Sequence, residues 1–318
     1  MDLLGGDRMN TFWILLEQIG LFVIYIIIGA LLIKTKVFTE ITIESISRFV
    51  LKLALPVMIF VNIAGGVDRR TLFQSAGILI YTCIFYIFTF LIGKGLSRLF
   101  HVKGDQGQVY HALAMFGNVG FMGIPIITSI LPQNGMLYIS IFTIIDQLVL
   151  WTVGVKLTTP SGEGKFDPRK LINPSTVAIL LSMVFVIGRI PLPALLDTGL
   201  QKIGNTATPL AMIYLGRVFA CIDIRRYIRN VEFYGIIFMK MILFPVIFYL
   251  LLGFFQTPEE IRLTMSLLGA MPAMSSVVMM AKASGSEGDY AMGGVFVTTL
   301  CSIVTIPAVC WILQNLLS

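Results

Sequence analysis

The sequence predicts an all-α integral membrane protein of ten transmembrane helices, arranged as two inverted five-helix repeats. First, 57% of the 318 residues are hydrophobic and only 13% are charged, which is too apolar for a water-soluble globule of this length. Second, the apolar runs are about 20 residues long, as membrane-crossing helices require, whereas barrel strands need about 10. Third, prolines recur inside the runs at similar intervals in the two halves.

Ten apolar runs are predicted to be transmembrane helices, here called spans one to ten. The sixth is the weakest, because Arg189, Pro191 and Pro193 interrupt it. The first is too long for the apolar core of a signal peptide and lacks a small-residue cleavage site, so we expect it to be retained as a span. The runs cover residues 12–33, 44–63, 72–97, 108–130, 136–156, 173–195, 200–219, 232–254, 260–282 and 290–316.

Lysine and arginine residues lie mostly in the loops and are unevenly divided between the two sides. One set of alternate loops holds fifteen of them and the other holds six, so the positive-inside rule places the richer set in the cytoplasm. Both termini of this multi-pass protein of the cell membrane are then predicted to be extracytoplasmic. The net charge of +6 comes from these loop residues, which orient the chain in the membrane. The lipid bilayer, and not nucleic acid, is therefore the expected partner.

Internal repetition divides the chain into two halves. Prolines lie in spans two and four and again in spans seven and nine, 69 and 63 residues apart, at Pro56, Pro125, Pro209 and Pro272. The predicted units are a first repeat at 1–157, a cytoplasmic linker at 158–172 and a second repeat at 173–318. Because each repeat has an odd number of spans, the second is inverted, which is the architecture of many secondary transporters.

Spans four and nine are predicted to be broken helices. In span four, the stretch FGNVGFMGIPII has three glycines that let the backbone leave the helix and a proline that can open a second half-helix. These residues are Gly117, Gly120, Gly123 and Pro125, and those of span nine are Gly269, Pro272, Ser275 and Ser276. If the breaks cross, two half-helix N-termini present partial positive charge and free N–H groups to one volume, which suits a carboxylate.

A simpler interpretation exists for isolated prolines and glycines. Both residues are frequent in membrane helices, and small residues spaced four apart serve helix packing. A lone proline usually only kinks its helix. We favour this interpretation for Pro56 and Pro209 taken alone. In span four, where glycine, asparagine and proline cluster and span nine matches, we favour a binding site.

Several stretches together resemble the auxin efflux carrier family, which includes plant auxin exporters and bacterial carriers often labelled malate or malonate permeases. The resemblance covers nearly the whole chain and is carried by NVGFMGIP in span four, ISRFVLKLALP entering span two, and AMPAMSSVVMMAK followed by VFVTTLCSIVTIPAV in spans nine and ten. Two features depart from the plant members. The long hydrophilic central loop is missing, and the start of span three, VDRRTLFQSAG, differs, so auxin itself is not the predicted substrate.

The resemblance implies a scaffold of spans one, two, six and seven and a moving transport domain of spans three to five and eight to ten. Broken spans four and nine would cross at Pro125 and Pro272, beside a bound organic anion. Asn118 stands where the family has its crossover asparagine, and Gln147 matches a polar position in span five of the plant members.

Three ionisable residues lie well inside predicted spans and not close to their ends. A charge at mid-bilayer costs about 3 kcal/mol on insertion scales. Asp146, beside Gln147 in span five, is predicted to bind a coupling proton or cation or to contact substrate. The alternative is a buried carboxylate paired with a lysine or a hydroxyl. Lys240 and Lys52 are further candidates for ion coupling, although we favour their side chains extending to the cytoplasmic interface.

The sequence thus predicts a secondary transporter of small organic anions, foremost carboxylates, working by elevator-type alternating access. No catalytic, nucleotide-binding or metal motif is found, so neither an enzyme nor a cofactor or metal is expected. Efflux is favoured, because an inside-negative potential drives a monoanion outward by ~2.3 kcal/mol per 100 mV. The competing hypotheses are a sodium- or proton-coupled symporter of the bile-acid-transporter type and a passive anion channel.

A homodimer is an open candidate for the assembly. The predicted substrate-binding residues are Asn118, Gly120, Gly123, Pro125, Asp146, Gln147, Pro272, Ser275 and Ser276.

Overall fold

The computed structural model describes residues 3–66, 76–132, 134–161, 174–221 and 224–316. Regular secondary structure in these residues is helical, and one isolated backbone bridge pairs Gly117 with Ala273. The predicted linker falls mostly outside the described residues. Its first residues are described, and the backbone N–H of Ser161 donates to Asp105 Oδ1 over 2.6 Å.

The helices are numbered here in chain order. Before the linker they are α1 (Leu3–Lys34), α2 (Glu40–Phe49), α3 (Leu55–Gly66), α4 (Ala76–Leu99), α5 (Gly104–Met115), α6 (Ile124–Ile130), α7 (Gly135–Val149) and α8 (Val155–Leu157). After it they are α9 (Pro174–Gly188), α10 (Ala194–Gly204), α11 (Ala207–Cys221), α12 (Ile224–Ile228), α13 (Val231–Ile236), α14 (Phe244–Phe254), α15 (Glu259–Ala270), α16 (Ser275–Ala283) and α17 (Gly288–Asn315). Wider π-helical turns occupy Val50–Ala54, Val119–Gly123, Leu150–Gly154 and Ile237–Leu243.

Six helical stretches among the described residues are long and apolar enough to cross a bilayer. They are Trp13–Lys34, Ile41–Gly65, Gly77–Leu99, Gly135–Leu157, Val231–Phe254 and Gly288–Asn315. Large apolar side chains such as Ile27, Ile87 and Val304 are exposed on their outer faces, which suits contact with lipid and not with water. The predicted class, an all-α integral membrane protein, is confirmed.

The other four predicted spans are not single long helices. Residues 108–130 and 260–282 are each divided into two short helices. The run at 173–195 ends at Gly188, because Arg189 adopts a left-handed φ of 52° and the prolines at 191 and 193 lack the N–H that a helix needs. Residues 200–219 are divided between α10 and α11 by a turn at Asn205 and Thr206.

The helices pack in two groups. In the first, α1 packs against α11, and α3 packs against α9 and α10. In the second, α4 packs against α5 and α7, α14 against α15, α16 against α17, and α17 against α5 and α15. The groups meet where α1 contacts α6 and α3 contacts α7.

Two glycines allow the close approach of α1 and α11. A Cβ added at Gly29 would lie 2.1 Å from the carbonyl oxygen of Ile213, and one at Gly216 would lie 2.0 Å from that of Ile26. Small residues at such contacts let backbones touch, which is how membrane helices associate where lipid removes the hydrophobic driving force.

Candidate functional site

Two helices are interrupted in the core of the molecule. The first break follows α5: Phe116 is extended (φ −99°, ψ 118°), and the chain becomes helical again only at Val119. The second break follows α15, where Met271 is extended (φ −61°, ψ 142°) and α16 begins at Ser275. Each break leaves backbone N–H and C=O groups that lipid could not satisfy.

The two breaks satisfy each other's backbone groups. The N–H of Asn118 donates to the carbonyl of Pro272 over 2.8 Å, and the N–H of Met274 donates to the carbonyl of Phe116 over 3.0 Å. These two bonds form the antiparallel bridge between Gly117 and Ala273. The N–H of Ala273 itself donates to Thr298 Oγ1 of α17 over 3.1 Å. We call these paired segments, Phe116–Asn118 and Met271–Met274, the crossing.

The crossing is tightly packed around Gly117. A Cβ there would lie 3.1 Å from Lys240 Nζ and 3.3 Å from both the carbonyl oxygen of Leu268 and the Cβ of Met271. Glycine at this position gives the second break and a buried lysine room to approach, and a larger residue would make its neighbours shift by a few tenths of an ångström.

The two prolines do not occupy matching places. Pro272 is part of the crossing, whereas Pro125 lies in the first turn of α6, after the chain has become helical at Val119. Pro125 therefore stands at the start of the α-helical segment, as predicted, but a π-helical turn precedes it, and Gly117, not Pro125, stands at the bridge. Gly120 and Gly123 lie within the π-helical turn that follows the break, not in the break itself.

Asn118 lies at the centre of the crossing with its side chain fully buried. Neither its amide oxygen nor its amide nitrogen has a hydrogen-bond partner in the protein, and the same is true of Ser275 Oγ at the start of α16. Buried polar atoms of native proteins are nearly always paired. The unpaired side chains of Asn118 and Ser275, beside helix N-termini, are therefore candidates for contact with a ligand. Ser276, the next residue of α16, is also buried.

Asp146 and Gln147 belong to a chain of hydrogen bonds in α7 and α4. The hydroxyl of Tyr86 donates to Asp146 Oδ1, Gln147 Nε2 donates to Asp146 Oδ2 over 2.8 Å, and Trp151 Nε1 donates to Gln147 Oε1 over 3.3 Å. Of the partners considered for Asp146, the structure shows a hydroxyl. The Tyr86 ring packs 5.8 Å from that of Phe116, which connects the carboxylate to the crossing.

The two lysines behave differently from each other. Lys52 is exposed in the π-helical turn between α2 and α3, in agreement with a side chain that reaches the interface. Lys240 is 0% exposed, and its Nζ donates to the carbonyl of Met271. The favoured interpretation of Lys240 as an interfacial side chain is wrong, because the broken helix offers it an acceptor inside the protein. A lysine in an apolar run was the only sequence signal for this contact.

A cavity of about 300 Å³ lies where the two helix groups meet. Sequence reasoning did not predict it, although polar residues inside apolar runs were a signal. Pro125 and Pro209 form part of its wall, and no lysine, arginine, aspartate or glutamate lines it. Its polar side chains are Gln18, Tyr25, Asn62, Thr128, Asn205 and Thr208.

Broken helices that pair in a membrane-embedded core, beside a cavity between helix groups, define a membrane transporter. The chain belongs to the membrane transport protein family, that of the auxin efflux carriers, whose family model matches residues 14–169 and 164–310. The family resemblance of the sequence is thereby confirmed, and the protein is a transporter and not an enzyme.

Curated relatives are similar to this chain over most of their length. An uncharacterized transporter of Methanocaldococcus jannaschii is 21% identical over 288 residues, covering 85% of this chain and 89% of the relative. The uncharacterized transporter YfdV of Escherichia coli is 22% identical over 296 residues, covering 90% and 93%. One of Methanothermobacter thermautotrophicus is 24% identical over 298 residues, covering 89% and 93%.

Proposed function

We propose that this protein is a secondary carrier of small organic anions, foremost carboxylates. The observation that carries the proposal is the unpaired, fully buried amide of Asn118 at the crossing. Helical segments restart at Val119 and at Ser275, so two helix N-termini bring N–H donors and partial positive charge to this place. A carboxylate accepts such hydrogen bonds, which favours an anionic substrate.

The proposed architecture is ten spans in two inverted repeats, at 1–157 and 173–318, joined by the linker at 158–172. Two reciprocal hydrogen bonds support it, from Asn118 to Pro272 and from Met274 to Phe116. A local two-fold axis through the bridge would generate this relation, as inverted repeats require. Segments on opposite sides of that axis would then be equivalent.

The division of the helices into two packing groups supports a scaffold and a moving transport domain. Spans one, two, six and seven form the first group, and spans three to five with eight to ten form the second. The cavity lies between them, at the end where α3 finishes and α7 begins. With the termini placed outside, this end is extracytoplasmic, so the cavity would be an outward opening. Sliding of the second group would carry the site across in an elevator-type cycle.

Substrate would bind at the crossing. In the first half we assign the contacts to Asn118 and to the backbone between Gly120 and Pro125, which includes Gly123. In the second half we assign them to Pro272, Ser275 and Ser276. Asp146 and Gln147 would line the site on the side of Tyr86, whose hydroxyl contacts Asp146 and whose ring packs against Phe116 of the crossing. Efflux is the favoured direction, since the membrane potential drives an anion outward.

Proton-coupled uptake is a second candidate, because the buried carboxylate of Asp146 has only neutral donors beside it, on Tyr86 and Gln147. Sodium-coupled symport and passive flow through a channel are further candidates. Counterflow of labelled malonate and malate in proteoliposomes separates carrier from channel, because a carrier shows trans-stimulation and a channel does not. Replacement of sodium by choline and a change of pH then identify any coupled ion.

A further inference from the structure

A buried lysine stands at the crossing, and among the described residues no carboxylate pairs with it. Lys240 lies in the π-helical turn Ile237–Leu243 and is 0% exposed. Its Nζ donates to the carbonyl of Met271 and lies beside Gly117. The ion pairs found in the described part of the chain join other residues. An unpaired ammonium in an apolar core is costly unless anionic or carbonyl groups compensate it.

The acceptor of this lysine is the end of a helix. Met271 is the C-cap residue of α15, and the last carbonyl groups of a helix have no partner within it and carry the negative end of its dipole. In transporters with interrupted helices, unwound carbonyl groups and the C-terminal ends of half-helices coordinate the coupling cation. Here an ammonium group contacts such a carbonyl.

We propose that Lys240 is the resident cation of the crossing, which takes the place of a coupling sodium ion at the C-terminal end of α15 and binds the substrate carboxylate. A lysine ammonium has three N–H donors, and Met271 accepts one of them. Lys240 Nζ lies 3.1 Å from where a Cβ of Gly117 would stand, next in the chain to Asn118, so the other two donors would be available to a carboxylate bound at the crossing. This inference rests on the proposed function, since it concerns the same site.

The test compares carboxylate binding and transport in four purified proteins. The first is the wild type. Lys240→Met keeps the length of the side chain without its charge, and Lys240→Gln keeps a polar end. The control, Lys94→Met, removes an exposed cation near the end of α4. We expect wild type and Lys94→Met to show equal malonate counterflow, changed less than twofold when choline replaces sodium. Both Lys240 variants should bind malonate at least tenfold more weakly, as measured by its effect on the unfolding temperature.

Two results would overturn the proposal while leaving the proposed function intact. One is wild-type transport of carboxylates that requires sodium. The other is a Lys240→Met or Lys240→Gln protein that binds and transports malonate like the wild type. If both variants fail to fold, the sodium dependence of wild-type counterflow still decides. A wild type that neither binds nor exchanges any carboxylate would instead refute the proposed function, and this inference with it.

Discussion

The amide of Asn118 is fully buried, and both of its polar atoms lack a partner in the protein. Its backbone N–H is already used by the carbonyl of Pro272, so the side chain is not needed to close the crossing. A side chain that the fold does not use is available for a ligand. For this reason the residue is expected to affect binding much more than folding.

Asn118→Ala is expected to weaken carboxylate binding about tenfold or more, since a hydrogen bond to a charged group is worth ~1.5–3 kcal/mol and 1.4 kcal/mol corresponds to a factor of ten. The measurement is the malonate concentration that gives half the maximal rise in unfolding temperature. Asn315→Ala, at the exposed end of α17, is the matched control and should bind normally. Unchanged affinity in Asn118→Ala would remove this residue from the site.

Asp146 is a buried carboxylate that accepts from the hydroxyl of Tyr86 and from the amide of Gln147. Both donors are neutral groups. A group held in this way can either bind a proton during transport or serve to hold α4 against α7. A substitution that keeps its shape distinguishes the two roles.

Asp146→Asn keeps the shape of the side chain and removes its titration. If Asp146 carries a coupled proton, the variant should lose the part of the pH dependence that the wild type owes to this carboxylate, because the amide cannot titrate. The measurement is counterflow against pH in proteoliposomes. Tyr86→Phe is the companion variant, which removes one donor and keeps the carboxylate titratable. A pH profile of Asp146→Asn that matches the wild type would assign Asp146 to structure alone.

At the scale of the helices, composition predicted that spans four and nine would be interrupted, but not where each helix restarts. Glycines at 117, 120 and 123 all permit the chain to leave the helix, so several registers were compatible with the sequence. The structure restarts the helix at Val119 in a π-helical turn, because the pairing with Pro272 and Met274 sets the position of the break. Pro125 then falls inside a helix that has already begun.

The contact between α1 and α11 depends on glycine at one place along α1. Gly29→Ala should destabilise the protein by ~1–3 kcal/mol, as overpacking does, because the added Cβ would lie 2.1 Å from the carbonyl of Ile213. Gly20→Ala is the matched control in the same helix, where a Cβ meets nothing within 4 Å. The measurement is the unfolding temperature in detergent. Equal unfolding temperatures for the two variants would contradict the close contact.

At the scale of the whole molecule, the helix groups leave a cavity lined by uncharged polar side chains between them. Uncharged polar side chains can solvate an anion but bind it only weakly. The crossing offers stronger partners, which are two helix N-termini and the ammonium group of Lys240. This difference favours passage through the cavity and binding at the crossing. The direction in which the cavity opens follows from the topology that the loop charges predict.

Thr208→Cys should react with a membrane-impermeant maleimide applied from outside, because Thr208 lines the cavity. The background is a chain in which Cys83, Cys221, Cys301 and Cys310 are replaced. Saturating malonate should slow the reaction by changing the population of outward-open molecules. Ser161→Cys, exposed at the start of the linker, is the control for the opposite side. Labelling of Ser161→Cys and not of Thr208→Cys would reverse the topology.

The sequence by itself determined the membrane class, the helical character and the family. Each of these depends on composition, run length or local motifs, which are properties of neighbouring residues. It also placed Asn118 and Pro272 in two interrupted segments, because glycine and proline act on the backbone locally.

Only the tertiary structure decided which residues meet. The register of the crossing, the bond from Lys240 to Met271 and the pairing of Asp146 with Tyr86 join residues far apart in the chain. Lys240 shows the physical reason. A lysine in an apolar run has the same local pattern whether it extends to the interface or turns inward, and its position is decided by an acceptor that another helix presents.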